Sequence, residues 1–226
     1  MNVLYYGHAC FLVTISGVKL LFDPFISPLG KEVDIDAIRP DYILVTHGHE
    51  DHVADLVSIS RSSGAKVVSS WEIHNWLQNQ GITNTHPMNT GGSWQFDFGT
   101  VKCVVAQHSS SLPDGTYAGN PMGFVIETPE ICFYYAGDTA LTLDMQLIPK
   151  RYKLDIAFLP IGNNFTMDTT DAIIASEFIA CKRIIPMHYN TFGFIVVDMP
   201  VTRAAFASAG CVVEWIEPGQ AREISR

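Results

Sequence analysis

The stretch Thr46-His47-Gly48-His49-Glu50-Asp51-His52 places three histidines and two carboxylates within seven residues. Ahead of it, Asp41-Tyr42-Ile43-Leu44-Val45 is aromatic, β-branched and apolar, and reads as a short buried strand entered from Pro40. Behind it, Ala54, Leu56, Val57 and Ile59 recur at helical spacing as far as Gly64, a residue that commonly closes a helix. The stretch is therefore a strand-to-helix loop, and such loops present side chains at the edge of a rigid sheet. A lone histidine is usually a core or surface residue; here three of the chain's eight fall within six positions. Neutral imidazole is the commonest metal ligand, and zinc sites are built from His nitrogens and Asp oxygens. His47 and His49 can turn to one ion, Asp51 and His52 to a second.

The loop resembles the H-x-H-x-D-H signature of the metallo-β-lactamase superfamily. That family also uses a later His, an Asp and a final His, each after a strand. This chain offers His108 after Val101–Ala106, Asp138 in Tyr135-Ala136-Gly137-Asp138-Thr139, and His188 in Ile185-Pro186-Met187-His188. Gly7-His8-Ala9-Cys10-Phe11 and Pro186-Met187-His188-Tyr189-Asn190-Thr191-Phe192 are similar to a small cytoplasmic branch of metal-dependent hydrolases, UPF0173-like and close to the sugar-phosphate lactonase group. The resemblance spans nearly the whole chain. It implies an α/β fold, an αββα sandwich of two mixed sheets with helices on the outer faces.

Composition agrees with such a fold. The 226 residues are 47% hydrophobic and 16% charged, enough for a large core, and no linker or block of like charge divides them. Residues 1–226 are expected to form one domain. The net charge of −9, with 14 Lys+Arg, lacks the basic patch of a nucleic-acid binder. Lys150-Arg151-Tyr152-Lys153 is too short to supply one and reads as a solvated turn. The five cysteines form no C-x-x-C pair and lie in apolar runs, as reduced buried thiols do. No signal peptide precedes Val3–Tyr6 and no apolar run reaches spanning length, so a cytoplasmic protein without membrane contact is expected. A homo-oligomer is compatible with the sequence.

Val3–Tyr6, Phe11–Ile15 and Val18–Phe22 read as strands, the last two joined by a Ser16-Gly17 turn. Asp23-Pro24 ends the third. Asp23 is expected to orient a ligand histidine, since metal-bound His usually donates its other N–H to such a group. The segment 27–39 reads as a surface loop. Ser69-Ser70-Trp71-Glu72 has capping-box spacing for a helix over Trp71–Asn79, with His74 on it and His86 in the next loop, neither a ligand. Hairpins follow: Trp94–Phe98 with Val101–Ala106 around Gly99-Thr100, and Gly123–Glu127 with Ile131–Ala136. Ser109-Ser110-Ser111 reads as a polar loop. Thr170–Cys181 is a helix with Ile173, Ile174, Phe178 and Ile179 in the core, and Arg183–Met187 is the strand delivering His188.

Carried over by resemblance, His47, His49 and His108 hold one metal, Asp51, His52 and His188 a second, and Asp138 bridges. Zn²⁺ suits the all-nitrogen set, with Mn²⁺, Ni²⁺ or Fe²⁺ as alternatives. Two such ions lower the pKa of bound water and polarise a substrate oxygen. The implied activity is hydrolysis of a small ester, lactone or phosphodiester; a nucleic-acid phosphodiesterase or a non-enzymatic metal scaffold is the alternative. Asp51 and His8 are the candidate catalytic residues, Asp51 orienting the nucleophile and His8 donating to the substrate. Candidate substrate contacts are His8, Tyr117 from the irregular loop 112–122, Asn164 after the strand Asp155–Leu159, and Tyr189 and Asn190 beyond His188.

Overall fold

The computed structural model describes residues 1–30 and 33–226. Its first half opens with the antiparallel strands β1 (Asn2–Gly7), β2 (Cys10–Ile15) and β3 (Val18–Phe22). Ser16 and Gly17, both left-handed at φ 50° and 84°, make the expected turn. Then come β4 (Tyr42–Leu44), the helices α1 (Glu50–Val53) and α2 (Leu56–Ser63), β5 (Lys66–Ser70), α3 (Trp71–Asn79) and β6 (Thr85–Met88). Strands β3 to β6 run parallel.

The second half repeats the plan. Antiparallel β7 (Ser93–Phe96), β8 (Gly99–Val105), β9 (Met122–Glu127) and β10 (Cys132–Tyr135) lead to β11 (Ile156–Pro160), α4 (Thr169–Phe178), β12 (Arg183–Met187), α5 (Met199–Ser208) and β13 (Val212–Val213). From β10 to β13 the pairing is parallel. The last strand, β14 (Ala221–Glu223), crosses back to pair with β1. Two seven-stranded sheets result, ordered β14-β1-β2-β3-β4-β5-β6 and β13-β12-β11-β10-β9-β8-β7. This is the αββα sandwich that the resemblance implied.

The core lies between the sheets. Phe22 stacks on Tyr135 at 4.4 Å between ring centroids, and Phe11 meets Phe158 edge-on at 5.1 Å. Each such ring, wholly buried, contributes about 1.5–3 kcal/mol relative to exposure. A second cluster joins Leu21, Ile43 and Val67 of the first sheet to Leu56, Ile59, Ile73 and Leu77 of α2 and α3. Strands β4, β10 and β11 are buried at every residue, as central strands covered on both faces must be. No helix among the described residues is long and apolar enough to cross a membrane.

Several local expectations need correction. The cap of α3 is Ser70, whose side chain accepts from the Ile73 amide at 3.2 Å, so the box counted from Ser69 is one residue early. His86 lies in β6, packed on Trp94 and Phe96, rather than in a loop. The hairpin turn falls at Asp97-Phe98, and Gly99 already belongs to β8. Helix α4 ends at Phe178 and turns Ala172, Ala175 and Ser176 inward; Ile173, Ile174 and Phe178 are only half buried. Small residues there let the helix lie close on its sheet. The short strands β13 and β14 edge different sheets. In the 27–39 segment, Ile38 is buried and two short 3-10 turns form, while residues 31 and 32 lie outside the described residues.

Candidate metal centre

All seven candidate ligands follow strands at one edge of the sandwich. His47, His49, Asp51 and His52 follow β4, His108 follows β8, Asp138 follows β10 and His188 follows β12. His8 follows β1 and Asp23 follows β3. The two sheets are tied here by the His188 amide, which donates to the His8 carbonyl at 2.8 Å. His8, Asp23 and His188 all adopt left-handed backbone, at φ 57°, 41° and 56°. Non-glycine residues in that region carry strain and cluster at functional sites.

The side chains fall into two facing groups. In one, a ligand-type atom from each of His47, His49 and His108 lies within 4.8 Å of the others; in the second, His8, Asp51, His52 and His188 meet the same limit. Asp138 stands between them. Its Oδ2 is 2.9 Å from His188 Nε2, 3.3 Å from His52 Nε2 and 3.7 Å from His108 Nε2. It also groups with His47 and His52. The grouping expected by resemblance is thus assembled, with His8 as an added neighbour of the second cluster.

Outer contacts fix how these rings face. Asp23, wholly buried, accepts from the Thr46 amide through Oδ1 at 2.8 Å. Its Oδ2 accepts from the Thr46 hydroxyl at 2.8 Å and from His52 Nδ1 at 2.9 Å, with the Tyr135 hydroxyl at 3.3 Å. His52 Nε2 is left facing the centre. The Thr46 hydroxyl has one proton, spent on Asp23, so it accepts from His47 Nδ1 at 3.0 Å and leaves His47 Nε2 unprotonated for a ligand role. Gly137 permits the Asp138 turn: at φ 64°, its absent Cβ would meet the Thr46 Cβ at 2.8 Å.

The fit to metal ions rests on unsatisfied buried atoms. His52 Nε2, Asp138 Oδ1 and both ring nitrogens of His188 are buried without a hydrogen-bond partner. Asp138 Oδ2 approaches the two Nε2 atoms closely, but without hydrogen-bond alignment. Orphaned buried polar groups cost about 1–3 kcal/mol each, and divalent cations would satisfy His52 Nε2, His188 Nε2 and Asp138 Oδ1 together. Electrostatics agree. Burial opposes charge on His52, yet Asp138 and Asp23 outweigh it and hold its pKa well above the ordinary value. Burial likewise works against His188, and Asp138 raises it to about 9. Burial pushes Asp138 up, but His52 and His188 together hold it well below the usual carboxylate range. Protons on these rings occupy the place that cations would take. Burial lowers His47, with the neighbouring His52 adding to the effect.

His8 sits beside the second group. Its Nε2 bonds Asp51 Oδ2 at 3.0 Å and its Nδ1 bonds Thr191 Oγ1 at 3.0 Å. Burial lowers its pKa to about 4 despite the Asp51 contact, so the ring is neutral and its single proton is committed to Asp51. In this arrangement its Nε2 faces Asp51 and its Nδ1 faces Thr191. The pocket over the ligand cluster holds about 280 Å³ and is lined by His49, Asp51, His108, Ser109, Asp138, Phe165 and His188. Tyr117, 58% exposed, bonds Asn120 and lies off that lining. Tyr189 and Asn190 line a separate cavity of about 500 Å³ with His8, Tyr5 and Phe192. Asn164 is exposed in the turn that presents Phe165. Thr46, Thr191, Tyr135 and Phe165 are contributors that the sequence did not reveal. Thr46, Tyr135 and Thr191 stood inside the quoted 46–52, 135–139 and 186–192 stretches without a role assigned to them; Phe165 stood in none. His74 bonds Thr85 and His86 packs in β6, both away from the centre.

Comparison with known proteins places the chain. The family model described as "Beta-lactamase superfamily domain" matches residues 2–188. A "UPF0173 metal-dependent hydrolase" of Flavobacterium johnsoniae is 50% identical over 226 residues, 99% of this chain and 100% of the relative. Another of the same description, from Christiangramia forsetii, is 48% identical over 227 residues, again 99% of this chain and 100% of the relative. Among solved structures, Igni18, described as a novel metallo hydrolase from the hyperthermophilic archaeon Ignicoccus hospitalis, superposes with a TM-score of 0.88 at 34% identity over 99% of both chains. With the His/Asp cluster at the edge of its αββα sandwich, the chain belongs to the metallo-β-lactamase superfamily and, within it, to the UPF0173 metal-dependent hydrolases.

Proposed function

We propose that this protein hydrolyses a small ester, lactone or phosphodiester with two divalent metal ions. His47, His49 and His108 would hold one ion, Asp51, His52 and His188 the other, and Asp138 would touch both. The observation that carries the reading is the pair of facing ligand groups with Asp138 between them and orphaned buried nitrogens and oxygen at their centre. The all-imidazole group suits Zn²⁺, with Mn²⁺, Ni²⁺ and Fe²⁺ as alternatives. Bound ions would supply a lowered pKa for water and polarisation of the substrate's oxygen.

The chain's own residues do the rest. Asp51 Oδ2, steered by His8, stands at the pocket lining, where it can accept a hydrogen bond from the attacking water and aim its lone pair. Asp23 sets His52 directly, and His47 through Thr46. Asp138, 2% exposed, supplies fixed negative charge between the two groups. We also place the protein in the cytoplasm acting on a small molecule: its five cysteines are buried and unpaired, and an acidic chain suits neither nucleic acid nor an anionic membrane.

The test is a panel of generic ester, lactone and phosphodiester substrates assayed with metal-loaded and chelator-treated protein. Turnover present when loaded, lost on chelation and independent of added reductant supports the reading. Metal-loaded, folded protein that hydrolyses nothing on the panel refutes it.

A further inference from the structure

Phe165 is the apolar member of the metal-centre pocket. It lines the cavity with Asp51, Asp138 and His188 and is 51% exposed. Phe194, 77% exposed, stands edge-on to it with ring centroids 6.4 Å apart. Two rings left in water beside a polar cluster are unfavourable unless something covers them, and apolar surface at a pocket mouth commonly marks a ligand contact.

The local backbone is built to hold them there. Asn163 and Asn164 are consecutive left-handed residues, at φ 63° and 54°, a conformation that asparagine tolerates better than most residues. The Asn163 amide donates to the Met167 carbonyl at 3.0 Å, and the Met167 amide to the Thr139 carbonyl at 3.1 Å, so the turn is anchored next to Asp138. On its other side Gly162 permits direct backbone contact: a Cβ there would overlap the His188 carbonyl oxygen and come within 3.0 Å of the Ile195 Cβ. The turn carrying Phe165 is therefore locked to both His188 and the 3-10 turn Gly193–Ile195 that carries Phe194.

We propose that Phe165, flanked by Phe194, is the specificity platform of the centre, and that the substrate bears an apolar alkyl or aryl substituent beside the scissile bond. The proposal rests on the hydrolytic reading above. A scissile group held among Asp51, Asp138 and His188 has Phe165 as its apolar neighbour. The charged residues among the described lining are the cluster's own, so an added anionic substituent would meet no Lys or Arg there. The platform thus favours an ester or lactone with a hydrocarbon arm over a multiply phosphorylated substrate.

The test reads binding, not turnover. Zn²⁺-loaded protein is titrated calorimetrically with n-alkyl hydroxamates, from acetohydroxamate to hexanohydroxamate, whose common head group engages divalent ions. A methylene partly to fully buried on the platform tightens binding about two- to fourfold, so the four added methylenes should gain roughly tenfold or more. In Phe165→Ala the ratio of hexanohydroxamate to acetohydroxamate affinity should fall to within about threefold of unity, and Phe165→Leu should retain most of the gain. A flat series in the unmodified protein overturns the proposal, as does a gain that survives in the Phe165→Ala/Phe194→Ala double variant, or failure of every hydroxamate to bind the loaded protein. A flat series with self-association that Phe194→Ala abolishes would instead assign the rings to a contact between copies. An inactive substrate panel leaves the series readable, and a flat series leaves hydrolysis untouched, so the two readings fail separately.

Discussion

Replacing Asp23 by asparagine should weaken both candidate metal positions although Asp23 belongs to neither candidate ligand group. Asp23 Oδ2 faces two committed donors, the Thr46 hydroxyl at 2.8 Å and His52 Nδ1 at 2.9 Å, with the Tyr135 hydroxyl, which also bonds the Ala9 carbonyl, at 3.3 Å. In Asp23→Asn, Oδ1 can still serve the Thr46 amide, which places the NH₂ group against those donors. The Thr46 hydroxyl would then accept from the amide and turn its proton to His47 Nδ1, now 3.0 Å away. That moves the His47 proton to Nε2, the atom that would ligate. His52 faces the same reversal. Loss of an outer partner of this kind typically costs about 10–100-fold in metal affinity or activity, or about 1.4–2.7 kcal/mol. The assay is competitive titration of each metal equivalent against a chromophoric chelator, on protein shown folded by circular dichroism. Both equivalents should weaken within that range, while Thr46→Val should weaken only the one held by His47. Unchanged affinity in Asp23→Asn would refute the tautomer argument, and loss confined to one equivalent would refute the link through Thr46.

Asp138→Ala should be more severe: it removes the charge between the two ligand groups, so elemental analysis should find at least one equivalent lost and turnover abolished. Effects as mild as those of Asp23→Asn would leave a single-ion site as the better account. Chelator-treated protein should be most heat-stable near pH 6.5. The proton on His188, whose pKa is raised to about 9, stabilises fully below the ordinary value and is lost as pH rises through about 9. His8, lowered to about 4, destabilises the fold as pH falls from 6.5 towards 4. A melting temperature that climbs steadily from pH 6.5 to 9 would contradict this. All five cysteines should titrate as free thiols on denaturation without reductant, and recovery of fewer would overturn the reduced-compartment argument.

The fold was legible wherever burial imposed a run or a period. Arg183–Met187 and Val18–Phe22 were bounded as observed because each carries a continuous buried run, residues 184–187 in one and 20–22 in the other. Gly64 marked the end of α2 because its left-handed backbone, φ 70°, suits glycine. The ligands were legible because density is improbable by chance: three imidazoles in six residues have no simpler use. Residues that act through single hydroxyls or rings were not. Thr46, Tyr135 and Thr191 depend on partners 23, 112 and 183 positions away, and no local pattern records such a pairing. Phe165 resembled any loop aromatic. The strained backbone at His8, Asp23 and His188 was hidden because tertiary contacts impose it on residue types that do not announce it. Helix α4 misled in the other direction: its large apolar residues suggested the core face, while close packing chose Ala172 and Ala175.

The proposed mechanism requires two ions, one on each side of Asp138. Anomalous diffraction from crystals grown with saturating Zn²⁺ would locate them. Two peaks are expected, one ringed by His47, His49 and His108 and the other by Asp51, His52 and His188, with Asp138 in contact with both. A single peak, or two peaks of which one lies away from these residues, would contradict it.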